Sequence, residues 1–269
     1  MITVLGGKGF IGSNIVHKLK ETGELFYAPG RGEDIFKKDL GDIIYSIGLT
    51  ADFRNKPFET VEAHVCFLKE ILQKANFSSL TYLSSTRVYI NSNETEVFED
   101  SPISISITDP DELYTLTKLT GERLCLSSGR TTKIARLSNV YGKNAGSEDF
   151  LISVIKRINE SGSVKFFTTP ESSKDYISID NLCDLLVSIA GKGKTGIYNL
   201  ASGENISNTE IIEMLGQYYS FKYEFDENAR KIIFPRINID KIKKEFGFSV
   251  SNSKTGISEF IKTFRYDSN

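Results

Sequence analysis

The chain has 269 residues, 39% of them hydrophobic and 25% charged, which is an ordinary balance for one globular domain with or without a smaller lobe. Its 33 basic and 35 acidic side chains give a net charge of −2, which argues against a general nucleic-acid binder. No apolar stretch approaches the roughly 20 residues that cross a bilayer, and the N-terminus lacks a signal-peptide pattern. We therefore expect a cytoplasmic protein with no membrane partner.

Short β-like runs alternate with helical patterns in the first half of the chain, which is typical of a doubly wound parallel sheet. Helical spacing of apolar residues follows the first run and recurs over residues 61–72. The predicted strands are residues 2–5, 25–28, 43–47, 80–83 and 134–137. The stretch from Arg31 to Asp42 is too short for the crossover helix and extra strand that a Rossmann half normally places there, so we expect that helix to be missing.

After about Gly142 the alternation weakens, and scattered aromatic residues indicate a smaller, irregular lobe. Residues 175–189 then predict a strand and a helix that return to the first domain. The sequence thus predicts an α/β fold, a Rossmann-type doubly wound parallel sheet with a smaller C-terminal α/β substrate-binding lobe. The Rossmann domain comprises residues 1–141 and about 175–198, and the lobe comprises residues 142–174 and 199–269.

Three glycines, Gly6, Gly9 and Gly12, lie between the first strand and the first helix. Glycine permits the tight turn and lets the backbone approach a pyrophosphate, which the N–H groups of the helix start at Phe10 and Ile11 then bind. The position of this loop, at the end of a strand and the start of an amphipathic helix, predicts a dinucleotide site.

The choice of dinucleotide depends on the end of the second strand, where NAD sites usually carry an acidic residue. Here Pro29 and Gly30 are followed by Arg31, whose guanidinium suits the extra phosphate of NADP. Glu33 and Asp34 come soon after and are candidates for the ribose hydroxyls of NAD. We therefore favour NADP as the cofactor and keep NAD as the alternative.

A tyrosine and a lysine four residues apart, Tyr114 and Lys118, share one face of a predicted helix. Upstream, Ser84 and Ser85 follow a predicted strand at the edge where a parallel sheet presents its ligands. The tyrosine hydroxyl suits proton transfer in the reduction or oxidation of a carbonyl/alcohol pair, and the ammonium group lowers the tyrosine pKa and holds the cofactor ribose. Ser85 supplies a hydrogen bond to the substrate oxygen, and hydride transfer belongs to the nicotinamide.

Seven segments together resemble the extended short-chain dehydrogenase/reductase superfamily, in particular the NAD-dependent epimerase/dehydratase group that modifies nucleotide sugars. They are GGKGFIG (6–12), DL (39–40), YLSSTRVY (82–89), YTLTK (114–118), ARLSNVYG (135–142), KDYISIDN (174–181) and YNLASGENIS (198–207). The resemblance implies a catalytic triad of Ser85, Tyr114 and Lys118. It further implies cofactor contacts of Ser84, adenine contacts of Asp39 and Leu40, and substrate contacts of Thr86, Arg87, Asn139 and Arg236, the last as a phosphate ligand.

The sequence departs from this family in three ways. The 4,6-dehydratases of the family carry Asp-Glu where this chain has Thr86 and Arg87, which argues against dehydration. The epimerase-reductases add a catalytic cysteine and histidine, but Cys66 and Cys125 do not occupy such positions. With Cys183 they are predicted to be reduced thiols, without a disulfide or a metal site. Finally, His64 stands where the family commonly has an asparagine that is implicated in the proton path.

The leading functional prediction is an NAD(P)-dependent reductase or dehydrogenase acting at C4 of a nucleotide-linked sugar. A nucleotide-sugar 4-epimerase with tightly bound NAD uses the same triad and is the first alternative. The alternative from another class is a non-catalytic regulatory protein that senses the dinucleotide, although such relatives typically lose the tyrosine or the lysine. The resemblance also implies a homodimer, formed through the helices that bear His64 and Tyr114.

Overall fold

The computed structural model describes residues 1–50, 52–142, 149–249 and 252–264. The strands in this part of the chain are β1 (Ile2–Leu5), β2 (Phe26–Tyr27), β3 (Asp42–Tyr45), β4 (Ser79–Ser85), β5 (Glu96–Val97), β6 (Thr132–Leu137), β7 (Asn139–Tyr141), β8 (Ser163–Thr168), β9 (Ser173–Ser178), β10 (Gly196–Leu200), β11 (Asn205–Ser207), β12 (Lys222–Arg230) and β13 (Arg236–Ile237). Six of them form the main sheet in the order β10-β6-β4-β3-β1-β2, and all neighbours in it are parallel.

Helices connect and cover these strands. They are α1 (Phe10–Glu21), α2 (Pro57–Val61), α3 (Phe67–Lys74), α4 (Glu112–Ser127), α5 (Phe150–Ser161), α6 (Ile179–Lys192), α7 (Asn208–Gly216), α8 (Asp240–Phe246) and α9 (Ser253–Thr263). A π-helical turn, Glu62–Cys66, joins α2 to α3, and a 3-10 turn, Thr86–Tyr89, follows β4. No helix among the described residues combines the length and the apolar character needed to cross a bilayer.

The main sheet is buried on both faces because neighbouring strand residues point to opposite sides. Val4 packs on one face in a cluster with Ile15 of α1 and Leu182 of α6. Its neighbour Leu5 packs on the other face in a cluster with Leu68 of α3. The predicted doubly wound α/β sheet is therefore confirmed, with strand boundaries that differ from the predicted ones by a few residues.

The short connection between β2 and β3 carries no helix among the described residues, as the sequence predicts. The chain returns directly, so β1 pairs with β2 on one side and with β3 on the other. Asp39 and Leu40 precede β3, where the backbone N–H of Asp42 donates to the carbonyl oxygen of Met1 at 3.0 Å. They therefore lie at the amino-terminal edge of the sheet.

The C-terminal lobe has its own hydrophobic cluster, which includes Ile155 of α5, Ile211 of α7 and Ile257 of α9. Strand β9 lies in this part, because it pairs with β7 and β11 in a separate three-stranded sheet. Of the returning segment, α6 packs on the main sheet, and β9 contributes Ile177 to the cluster of that sheet and Tyr176 to the cluster of the lobe. Residues 236–246 were predicted to belong to the lobe, but Ile239 and Ile242 pack in the cluster of the main sheet.

Candidate active site

The glycine loop lies at the carboxyl end of β1. Gly6 has a φ of 90°, in the left-handed region that favours glycine, and a Cβ on Gly12 would overlap the Gly6 carbonyl oxygen. Helix α1 begins at Phe10 without a side-chain cap on Gly9 and without an acidic residue in its first turn. The first-turn N–H groups of Phe10, Ile11 and Gly12 therefore remain available to an anion, and the loop fits the pyrophosphate of a dinucleotide.

The turn after β2 holds the residues on which cofactor choice depends. Arg31 is exposed there. The Glu33 carboxylate accepts hydrogen bonds from Lys38 at 2.7 Å, from the Tyr27 hydroxyl and from the Gly30 N–H at 3.1 Å. These partners, Lys38 foremost, lower the pKa of Glu33 to about 2. The carboxylate is thus already engaged, and Lys38, which the sequence analysis did not single out, adds a second cation to this turn.

Asp39 and Leu40 do not join the cofactor site. Leu40 is fully buried, and its N–H donates to Asn76 O at 2.9 Å, whereas Asp39 accepts from the Gly41 N–H at 3.0 Å. Both lie at the amino-terminal edge of the sheet, opposite the glycine loop. We therefore drop the adenine contact that the resemblance implied, because the shortened connection moves this dipeptide to the other end of the strands.

The Tyr114 side chain is buried on α4 with its hydroxyl close to two others. Hydrogen bonds with the side chains of Ser85 and Thr50 and the charge of Arg87 each act to lower its pKa, but burial outweighs them and raises it. Phe53 packs against the Tyr114 ring with centroids 5.4 Å apart. The fold therefore brings together Ser85 and Tyr114 as predicted. Thr50 belongs to none of the matching sequence motifs, so only its position after β3 could have indicated it as a site residue.

Lys118 lies one helical turn beyond Tyr114, with its Nζ 5.7 Å from the centroid of the tyrosine ring. The ammonium donates a hydrogen bond of 2.9 Å to the carbonyl oxygen of Leu83. Burial lowers the pKa of Lys118 to about 7, although Glu122 opposes that shift. The Lys118 side chain is therefore held at the carboxyl end of β4. Burial there disfavours its charged form, because the ammonium group loses hydration.

His64 is completely buried beside this pair. Its Nε2 accepts the N–H of Leu49 at 3.3 Å, so Nδ1 carries the proton and donates to Thr117 Oγ1 at 2.9 Å. Thr117 Oγ1 in turn donates to the Tyr114 carbonyl at 3.0 Å. Burial, and then the charge of Lys118, lowers the pKa of His64 to about 2, so the imidazole is neutral.

The π-helical turn that carries His64 is tied to the sheet. The Tyr45 hydroxyl donates to the Ala63 carbonyl at 2.6 Å, and the Tyr82 hydroxyl donates to the His64 carbonyl at 3.2 Å. A Cβ on Gly121 of α4 would overlap the Tyr82 hydroxyl, so α4 packs closely at this point. The two tyrosines hold the π-helical turn against the sheet, and the turn in this way positions the His64 imidazole.

Ser84 differs from its predicted role. Its hydroxyl donates to Glu122 at 2.5 Å, and Glu122 forms a buried ion pair of 2.7 Å with Arg136. The side chain therefore points into the network between α4 and β6, and only its backbone remains for the cofactor. This network anchors the catalytic helix to the sheet.

Two cations, Arg87 and Lys174, interact with residues near the proposed site. The Arg87 guanidinium lies 3.5 Å from Asp111, and Lys174, on β9, lies 4.5 Å from the centroid of the Phe150 ring. Burial, and then the charge of Arg87, lowers the pKa of Lys174 to about 8, against the opposing charge of Asp149. Lys174 is not among the predicted site residues, although it begins the matching motif KDYISIDN (174–181).

The remaining predicted substrate residues occupy different places. Thr86 is buried next to Ser85, and the amide of Asn139 donates to the Asp175 carbonyl at 2.9 Å. Arg236 is exposed, donates to the Gly203 carbonyl at 3.1 Å and lies 3.8 Å from Glu96. Because Arg236 is paired with Glu96, this arrangement does not support the phosphate contact that the resemblance implied for Arg236.

Fold and site together define an α/β dinucleotide-binding protein with the tyrosine–lysine pair of the short-chain dehydrogenases. The model of the NAD dependent epimerase/dehydratase family matches residues 33–201, well over half of the chain. The chain therefore belongs to this family, and the resemblance inferred from its motifs is confirmed, as is the expectation of an enzyme of this kind.

Known proteins resemble the chain over most of its length. It is 25% identical over 223 residues to dTDP-4-dehydro-6-deoxyglucose reductase of Escherichia coli, covering 77% of this chain and 67% of the relative. The structure of MoeE5 in complex with UDP-glucose and NAD has a TM-score of 0.82 at 17% identity, with 97% of each chain covered. The structure of RMD from Pseudomonas aeruginosa complexed with NADPH has a TM-score of 0.79 at 18% identity, with 97% of this chain and 97% of that chain covered.

Proposed function

We propose that this protein is an NAD(P)-dependent oxidoreductase that reduces or oxidises C4 of a nucleotide-linked sugar. The observation that carries the proposal is the buried Tyr114 hydroxyl, which interacts with the side chains of Ser85 and Thr50 and lies one turn from Lys118. This group lies at the same edge of the sheet as the glycine loop. A cofactor bound at the loop and a sugar at Tyr114 would therefore meet in one cleft.

In the reducing direction, Tyr114 donates its hydroxyl proton to the sugar carbonyl oxygen, and the Ser85 hydroxyl donates a hydrogen bond to the same oxygen. The charge of Lys118 stabilises the tyrosinate that results. The loop Gly6–Gly12 would hold the pyrophosphate of the cofactor, whose nicotinamide would supply the hydride for the carbonyl carbon. Carbonyl, hydride and proton together give the alcohol, and the reverse direction runs through the same groups.

Dehydration is disfavoured by the residues that follow Ser85. Thr86 is a buried hydroxyl and Arg87 is a permanent cation, so neither serves as a carboxylic acid or base. A 4-epimerase needs only the same triad and stays the alternative. The dinucleotide that copurifies separates the two, because an epimerase retains its NAD, whereas a reductase releases and rebinds its cofactor at every turnover.

For the cofactor, we propose NADP over NAD. Arg31 is exposed on the turn after β2, while the nearest carboxylate, Glu33, is held by Lys38 at 2.7 Å. A 2′-phosphate at this turn would contact Arg31, and the nearby Glu33 carboxylate is already paired with Lys38.

We also propose that the protein is a homodimer formed through the outer faces of α2, α3 and α4. Phe58 of α2 is 84% exposed and Leu126 of α4 is 41% exposed, so both helices present apolar surface to solvent. Light scattering on the wild type and on Phe58→Glu tests this. We expect a dimeric mass that the substitution reduces, and a monomeric wild type would contradict the proposal.

The experiment that tests the proposed function follows reduced-nicotinamide fluorescence in the purified protein. NADPH or NADH is mixed with nucleotide 4-keto-sugars carrying uridine, thymidine or guanosine diphosphate. We expect oxidation of the reduced dinucleotide with at least one of them and the corresponding alcohol as product. Dinucleotide binding without turnover of any nucleotide sugar, in either direction, would instead support a regulatory protein.

A further inference from the structure

An arginine beside the catalytic pair has a guanidinium that the protein leaves partly unpaired. The Nε atom of Arg87 is buried and has no hydrogen-bond partner among the described residues. One of its terminal nitrogens lies 3.5 Å from Asp111 Oδ2, which is a long ion pair. Because a buried N–H group normally has an acceptor, this arrangement suits a ligand that brings one.

Asp111 is already the partner of another arginine. Arg54 forms a forked pair with it, in which the second nitrogen donates to Oδ2 at 2.6 Å. Arg54 therefore holds the close, bidentate position, and Arg87 shares only the remaining side of one oxygen. Two guanidinium groups therefore share the Asp111 carboxylate, and Arg87 has the weaker contact with it.

The backbone of Arg87 is next to the proposed reacting group, since its N–H donates to Ser85 Oγ at 3.1 Å. The charge of its side chain acts on the Tyr114 hydroxyl, because it lowers the pKa of Tyr114 against the larger, opposite effect of burial. Lys174 of β9, whose Nζ lies 4.5 Å from the centroid of the Phe150 ring, is a second cation that interacts with Arg87. Burial lowers the pKa of Lys174 most, Asp149 opposes that shift, and the charge of Arg87 adds to it. Two like charges that act on each other favour a bound anion.

The covalent structure of a nucleotide sugar indicates which anion this is. The diphosphate is attached at the anomeric carbon, across the ring from C4, whereas the C6 substituent is attached at C5, adjacent to C4. We propose that Arg87 binds a carboxylate on the sugar ring beside the reacting carbon, so that the preferred substrate is a nucleotide-linked uronic acid. This inference rests on the proposed C4 chemistry.

The test measures dissociation constants by calorimetry with saturating dinucleotide. The probes are two matched pairs, UDP-glucuronic acid with UDP-glucose and GDP-mannuronic acid with GDP-mannose, together with free UDP and GDP. We expect the acidic member of the better-bound pair to bind roughly 10- to 150-fold more tightly, the range of a charge-assisted hydrogen bond. Arg87→Met should erase this preference, and Arg87→Lys should restore part of it. Arg157→Met, at an exposed position on α5, is the control for loss of an arginine and should keep the preference.

Other outcomes separate the alternatives. If Arg87→Met weakens the free nucleotide, the neutral sugar and the acidic sugar equally, Arg87 binds the diphosphate and the inference is wrong. If the wild type binds the neutral sugar as well as the acidic one, only the inference fails, and the proposed function stands. If no nucleotide sugar of either pair binds although the dinucleotide does, the proposed function fails with it.

Discussion

The ammonium group of Lys118 donates a hydrogen bond of 2.9 Å to the backbone carbonyl of Leu83, two residues before Ser85. Through this contact α4, which carries Tyr114, is attached directly to β4, which ends at Ser85. The contact is made in a buried setting, where burial lowers the pKa of Lys118 to about 7 from the ordinary 10.5. Burial of the Lys118 ammonium group at this position therefore lowers the stability of the folded protein.

Lys118→Met should show this cost as a pH-dependent difference in stability. Between pH 7 and 10.5 the unfolded chain holds a proton that folded wild type has lost, so wild-type stability rises with pH over this window. The variant lacks this group, and Lys174 is common to both proteins. We expect the difference in unfolding free energy to change in favour of wild type by roughly 1 kcal/mol per pH unit, measured by urea denaturation.

The same variant should lose turnover and bind the dinucleotide more weakly, because the charge that holds the ribose is gone. Lys69→Met, at an exposed position on α3, is the matched control for replacing a lysine with methionine. A stability difference for Lys118→Met that does not vary with pH would show that Lys118 is not buried as described.

Tyr114→Phe removes one hydroxyl and leaves the ring packed against Phe53. Loss of a positioned general acid typically lowers the rate by roughly 10² to 10⁴-fold. We expect this decrease in kcat with nearly unchanged thermal stability, measured by reduced-nicotinamide fluorescence and calorimetry. Tyr223→Phe, on the exposed surface of the lobe, should behave as wild type. Wild-type turnover by the Tyr114 variant would remove the tyrosine from the mechanism.

His64 should act through position and not through proton transfer, since both ring nitrogens are engaged and the imidazole is neutral. An asparagine amide reaches about as far as Nδ1 and a glutamine amide about as far as Nε2. His64→Asn should therefore keep the Thr117 contact and lose the Leu49 contact, whereas His64→Gln should do the opposite. We expect the asparagine variant to have the weaker cofactor affinity, because residues 48–50 are released.

The pH–rate profile decides between the two roles of His64. For a positioning residue, both variants keep the inflection points of wild type, measured as kcat/KM against pH. An inflection that disappears in both variants would instead indicate that the histidine carries the proton path.

Arg31→Ala tests the cofactor preference. A charge-assisted contact with the 2′-phosphate contributes about 1.5–3 kcal/mol, so NADPH binding should weaken by roughly 10- to 150-fold while NADH binding stays nearly constant. Lys37→Ala, in the same segment but paired with Asp34 at 3.1 Å, is the control. A wild-type preference for NADH would overturn the NADP proposal and favour the epimerase over the reductase.

Much of this architecture could be predicted from local sequence. The glycine loop, the buried strands and the spacing of Tyr114 and Lys118 depend on neighbours in the chain, so residue type and period indicate them directly. The missing crossover helix followed from the length of the stretch between Arg31 and Asp42. The dimer, the cytoplasmic location and the role of each site residue stay predictions.

The assignments that changed all depend on contacts between distant segments. Asp39 and Leu40 matched a motif, but their place along β3 follows from the pairing of that strand with β1. Ser84 matched too, yet the Glu122–Arg136 pair takes its hydroxyl. A motif indicates which side chains are present, whereas the partner that each one meets depends on which strands and helices become neighbours.

By itself, the sequence determined the fold class, the glycine loop after the first strand and the placement of Tyr114 and Lys118 on one helix face, because each is encoded within one strand, turn or helix. Only the tertiary structure decided the neutral state of His64, the lowered pKa of Lys118 and the effect of the Arg87 charge on Lys174. The physical reason is that burial and the electric field at a side chain are set by residues far away in the chain. No local pattern records them.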